Sequence, residues 1–145
     1  MDQSAERFFG VIPNCRYKQG LGYKMAVYDL FVTNQRLILV KAWAPLLGVV
    51  AAATPPPAFQ TRIQRYSGKT VEQLLSLDKR NLFLPFDHIA RAILMEGNPR
   101  LLEQPNLTIW IGGDRTVFQF EKGEFAKARE LLAAALGAKL ELGSR

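Results

Sequence analysis

Arg16, Lys18 and Lys24 bracket a short stretch, QGLGY at 19–23, in which Gly20 and Gly22 alternate with Leu21 and Tyr23. Cations on a loop are suited to holding an anionic surface, each contributing about 1 kcal/mol beside an anionic leaflet. Glycines let such a loop approach a flat surface closely. Leu21 and Tyr23 add shallow apolar contact, since tyrosine suits the boundary between water and lipid. The chemistry expected here is binding of anionic lipid.

Other reactive types are sparse. The SGKT run at 67–70 resembles the end of a phosphate-binding loop, but Ile63 stands where the first glycine of that loop belongs. It reads instead as a turn and a helix cap. Cys15 and His88 are the only residues of their kinds. A zinc site takes three or four ligands, and a Cys-His nucleophile needs a third group to orient the histidine. No such set forms at short range, so Cys15 reads as a small apolar residue and His88 as a turn residue. No pair of carboxylates stands out for acid-base work. The expectation is therefore no catalytic residue, no metal, no cofactor and no enzyme.

The frame that must carry the basic loop is legible in the hydropathy pattern. Strands are expected at 8–12, extending through Pro13 to Tyr17 at a sheet edge where proline is tolerated. Others are expected at 25–33, 36–41, 82–86 and 89–96. A TNQ turn joins the second and third of these, whose continuous apolar runs predict burial on more than one side. At 107–120 two alternating strands flank Gly112-Gly113-Asp114, a hairpin signal. From Gly123 the period changes: Phe125, Ala128, Leu132, Ala135 and Leu136 share one helical face on a helix expected almost to the chain end. Thr70 and Gln73 form a capping-box pattern opening a short helix, with Asn81 as a left-handed stop.

Residues 42–61 hold no charge, which is the length of a membrane span. Pro45, Gly48 and the prolines at 55–57 break any helix there, and a lipid-exposed chain cannot leave backbone groups unpaired. No transmembrane span is expected. Trp43, Leu46, Leu47, Val49 and Val50 then make an apolar loop suited to a membrane surface or a partner.

The bulk numbers agree. The 145 residues suit one domain, 1–145, and the net charge of +6 favours anionic partners. A single cysteine excludes an intrachain disulfide and suits a reducing setting. The N-terminal MDQSAER lacks a basic region followed by an apolar core, so no signal peptide is read there, and the cytoplasm is the expected location, at most peripheral to the inner membrane face.

Several segments carry a family resemblance. YDLFVTNQRLI at 28–38 resembles the second hairpin of pleckstrin-homology-like domains of the bacterial and GRAM-related kind. LPFDHI at 84–89 resembles the "IPYSDI" segment of many of them, and the hairpin-then-helix ending is similar to their closing helix. LLSLDKRN at 74–81 is similar to a prokaryotic subgroup with a small-residue-rich insertion ahead of it. The resemblance implies a mainly β (α+β) antiparallel barrel of about seven strands capped by a C-terminal amphipathic helix. It also implies an insertion at 43–81 holding an apolar loop and a short helix. Such domains bind lipid headgroups, peptides or one another, and are not usually enzymes. Phosphoinositide-binding members carry a Lys/Arg-x-Arg cluster that Arg16, Lys18 and Lys24 do not reproduce, so that specificity is not implied.

The expected function is a non-catalytic binding module at an anionic membrane surface, through the basic loop and the apolar 43–50 segment. The alternative is a protein-protein adaptor or self-assembling scaffold, a homo-oligomer included, using an edge strand or that same segment. Nucleic acid is disfavoured, because Tyr17, Tyr23 and Tyr28 sit in runs that alternate poorly.

Overall fold

A computed structural model describes residues 5–18, 25–42 and 59–143. The strands are β1 (Phe8–Lys18), β2 (Met25–Thr33), β3 (Arg36–Lys41), β4 (Leu82–Pro85), β5 (Arg91–Met95), β6 (Asn106–Ile111), β7 (Asp114–Gln119) and β8 (Leu140–Gly143). The helices are α1 (Phe59–Tyr66), α2 (Val71–Ser76) and α3 (Phe125–Leu136). The strands form one sheet in the order β4-β3-β2-β1-β7-β6-β5-β8, open at β4 and β8.

Local chemistry explains most joints. The β2–β3 turn closes on Thr33, whose hydroxyl accepts the backbone N–H groups of Gln35 and Arg36 at 3.1 and 3.0 Å. Ile111 pairs with Asp114, leaving Gly112-Gly113 as a two-residue loop with φ of +58° and +100°. Two positive φ values in succession are what such a hairpin demands and what glycine supplies without strain. Asp114 thus opens β7 rather than completing the turn.

β1 bends where its sequence resists pairing. The register with β2 breaks between Ile12 and Cys15, and Asn14 has φ 57°. Pro13 lies in this bulge, and β7 pairs β1 only at Arg16, Tyr17 and Lys18, so no ladder bond falls to the missing proline N–H.

β3 is buried on both faces. Leu37 and Leu39 join the main core with Ile12, Leu30, Leu107, Ile109 and Phe118, closed by Ala128, Leu132 and Leu136 of α3. Ile38 and Val40 face the other way, into a second core with Phe31, Tyr66, Val71 and Leu74. That second layer is built by α1 and α2, which lie between β3 and β4 in the chain.

The capping box forms as its residues predict. Thr70 Oγ1 accepts from the Gln73 N–H at 3.2 Å, and Gln73 Oε1 accepts from the Thr70 N–H at 2.8 Å. Thr70→Ala is expected to cost about 1 kcal/mol in urea denaturation.

Three sequence expectations change. Asn81 is not a left-handed stop: among the described non-glycine residues only Asn14 and Leu102 have positive φ. Its side chain instead accepts the Lys41 N–H at 2.7 Å and donates to the Leu74 carbonyl at 2.7 Å, tying α2 to the end of β3. The terminal helix stops at Leu136, the chain turns at Gly137, and β8 pairs parallel to β5. An eighth strand therefore joins the seven expected. Finally, 59–66 is helical, so the segment read as an apolar loop and one short helix holds a second helix.

Candidate functional site

Arg16 follows fully buried Cys15 on β1, so alternation turns it to the outer face while Tyr17 turns inward, its ring 5.2 Å from that of Phe118. Arg16 pairs in register with Gln119 of β7, which pairs with Asn106 of β6. These three outward residues make a polar row across the sheet. Leu102, Glu103 and Gln104 complete the wall of an open groove of about 450 Å³. Arg16 takes part in none of the ion pairs among the described residues.

The groove's far wall is the β5–β6 connection, a turn that its own backbone holds. The Asn98 carbonyl accepts the N–H groups of Leu101 and Glu103, both at 3.0 Å, and Asn98 Oδ1 accepts the Arg100 N–H at 3.0 Å. Gly97 is required beneath it: a Cβ there would lie 2.7 Å from the Glu103 carbonyl oxygen. The turn presents Leu101 and Leu102, 62% and 89% exposed. Sequence reading missed both leucines, because GNP at 97–99 announced only the end of a strand.

Of the residues expected to bind, Arg16 alone has a described side chain. Lys18 pairs with Val117 and Met25 through its backbone, and its side chain lies outside the described residues. So do Lys24, Leu21, Tyr23, Trp43, Leu46, Leu47, Val49 and Val50.

A second constellation was invisible in the sequence. Arg62 of α1 donates from Nε and Nη2 to Asp29 Oδ2 and Oδ1 at 2.8 and 2.9 Å, and from Nη2 to Asn14 Oδ1 at 2.7 Å. The Tyr66 hydroxyl donates to Asp29 Oδ2 at 2.6 Å, and the Asn14 N–H to Asp29 Oδ1 at 3.1 Å. Asp29 is 0% and Arg62 3% exposed. Burial and the adjacent Asp29 push the Tyr66 hydroxyl well above its usual range, so it stays a donor. This node pins α1 to the bulge of β1. Its polar atoms face one another, and among the described residues no buried side-chain N or O lacks a partner.

The Cys15 thiol points to the Ile12 carbonyl at 3.4 Å, and burial pushes its pKa well above the ordinary thiol range, away from the reactive thiolate. His88 sits on the short 3₁₀ turn Phe86–His88. Among the described residues no group of three or more His, Cys, Asp or Glu could hold a metal ion. No helix among them is long and apolar enough to cross a membrane.

The edge strand β4 offers another surface. The Phe86 N–H donates to the Gln35 carbonyl at 3.0 Å, and the Ile38↔Phe83 pairing follows in register. Antiparallel alternation then directs the Phe83 amide away from β3. Its ring is 45% exposed, with the Arg36 guanidinium 4.8 Å above it. That guanidinium is already engaged by Glu6 at 2.9 Å.

No family profile matches the chain, and a search of curated proteins finds no relative. Solved structures do. The Vps36 N-terminal PH domain is similar over 93% of this chain and 83% of its own, with TM-score 0.54 and 12% identity. The C-terminal domain of an unknown protein from Leishmania infantum is similar over 90% of this chain and 84% of its own, with TM-score 0.52 and 13% identity. The eight-stranded open sheet with its C-terminal helix is a pleckstrin-homology-like fold.

Proposed function

We propose that this pleckstrin-homology-like chain is a non-catalytic binding module that attaches peripherally to anionic membrane surfaces. The observation that carries the reading is Arg16, a cation without an ion-pair partner among the described residues, facing outward at the groove two residues before the end of β1. Lys18 and Lys24 belong to the same end of β1 and its loop, with Leu21 and Tyr23 as shallow apolar contacts. The uncharged 43–50 segment, with Trp43, Leu46, Leu47, Val49 and Val50, is a second contact within an insertion spanning 43–81 of a single domain. Attraction begins at long range through the net charge of +6 and is completed by short contacts, so salt weakens it. The setting this implies is the cytoplasmic face of a membrane. A relation to bacterial and GRAM-type members rests on the 28–38 and 84–89 segments, and one to a prokaryotic subgroup on 74–81.

The test is co-sedimentation with neutral and with anionic vesicles at low and high salt. At about 1 kcal/mol per cation, replacing Arg16, Lys18 and Lys24 with glutamine together should weaken binding to anionic vesicles about 100-fold and flatten its salt dependence. Equal binding by parent and variant removes the basic loop from the mechanism.

The runner-up is a protein adaptor, favoured by the outward Phe83 amide on β4, where a partner's extended segment would add a strand. Failure to bind either vesicle type would shift the weight to that edge.

A further inference from the structure

We infer that the Leu101–Leu102 turn is a preformed wedge that enters the interfacial layer of an anionic membrane beside Arg16. This rests on the membrane reading above and names the element that makes apolar contact.

Three observations converge. First, the two leucines are the most exposed large apolar side chains among the described residues, at 62% and 89%, on a turn at the rim of the groove. A projecting apolar turn is covered either by a matching partner or by a medium that yields, and a lipid interface yields. Second, the turn is held in shape before any contact. Leu102 has φ 56°, a conformation that L side chains rarely adopt, and the Asn98 carbonyl and side chain bind the backbone on both sides of it. Such an outlier persists only where its surroundings impose it, and presenting a side chain outward is one reason to impose it. Third, the flanks are cationic: Arg100 lies in the turn, and Arg16 shares the groove wall with Leu102. Apolar side chains flanked by two arginines complement an anionic leaflet, where headgroups meet the cations while acyl chains take the leucines. Glu103 is the acidic residue in the wall, and it has an interaction of its own.

A site-directed probe decides the matter. Cys15 is the only cysteine and is fully buried, so Leu102→Cys takes a thiol-reactive, polarity-sensitive dye at one place. Gln60→Cys, on an exposed position of α1, serves as control. Vesicles are neutral phosphatidylcholine, or the same with phosphatidylserine and a nitroxide-labelled lipid. With anionic vesicles, the dye at 102 should shift to the blue and be quenched by the nitroxide, and the dye at 60 should do neither. The Leu101→Ser/Leu102→Ser variant should lose the binding that survives high salt, by roughly ten-fold per leucine.

If protein pellets with anionic vesicles and the dye at 102 stays unchanged, the wedge is wrong while the membrane reading stands. Should nothing pellet, both fall. A blue shift without vesicles, growing with protein concentration, would place the tip against a second copy of the chain and overturn the lipid assignment.

Discussion

Asp29→Ala should destabilise the fold by about 3–5 kcal/mol, because it removes the carboxylate from a buried ion pair and leaves the arginine charge buried. The Arg62 guanidinium would remain within the protein, 3% exposed, with its two carboxylate bonds gone. The Tyr66 hydroxyl and the Asn14 N–H would lose their acceptor in the same stroke. Urea denaturation followed by circular dichroism measures the loss. The double variant Asp29→Leu/Arg62→Met is the control, since replacing both charges with apolar groups of similar size should restore much of the stability. A loss below about 1 kcal/mol for Asp29→Ala would mean water reaches the node and that α1 is not pinned by it.

Phe118→Ala follows in size, at about 3–5 kcal/mol, through lost transfer energy and the cavity left behind. Phe118 is fully buried between the sheet and α3 and packs against Tyr17. The contrast with Leu74→Ala is the informative part. Leu74 is almost as buried, but it belongs to the second core, on the other face of β3. Hydrogen exchange should separate the two variants. Phe118→Ala should speed exchange across β1, β6, β7 and α3 together, as global opening does. Leu74→Ala should speed exchange chiefly in α1 and α2, leaving β6 and β7 protected. Uniform acceleration in both variants would show that the two cores open as one unit.

How far the sequence reaches depends on how local the determinant is. The β2–β3 turn, the Gly112-Gly113 hairpin, the α2 cap and the amphipathic face of α3 are each written within a few residues, and each appears in the fold. The apolar run of β3 correctly announced burial on both sides. What escaped was non-local. Arg62 lies 33 residues from Asp29, and a helix bearing arginines at 62 and 65 reads as solvated until the carboxylate it meets is known. β8 is four residues of weak alternation, and its pairing to β5 exists only once α3 has carried the chain back across the core. Asn81 carries a residue type common at left-handed stops, yet tertiary partners on both sides gave its amide other work. The candidate site was half legible. Arg16 stood out as a cation near glycines, whereas the exposure of Leu101 and Leu102 comes from a turn geometry that residue types alone do not announce.

The parallel docking of β8 bears on how the protein can be handled. Gly143 lies in register with Met95, two residues before Gly97 opens the β5–β6 turn. A reporter or surface anchor spliced directly after Gly143 would therefore emerge at the end of the sheet that bears the leucines and could shield them. The same cargo joined ahead of Ala5 would begin beside Asn34, which accepts the Arg7 N–H and donates to the Ala5 carbonyl at the β2–β3 turn. By register that turn lies at the same end of the strands as the leucine tip, so cargo there is set apart from the leucines only across the sheet, through β1 and β7.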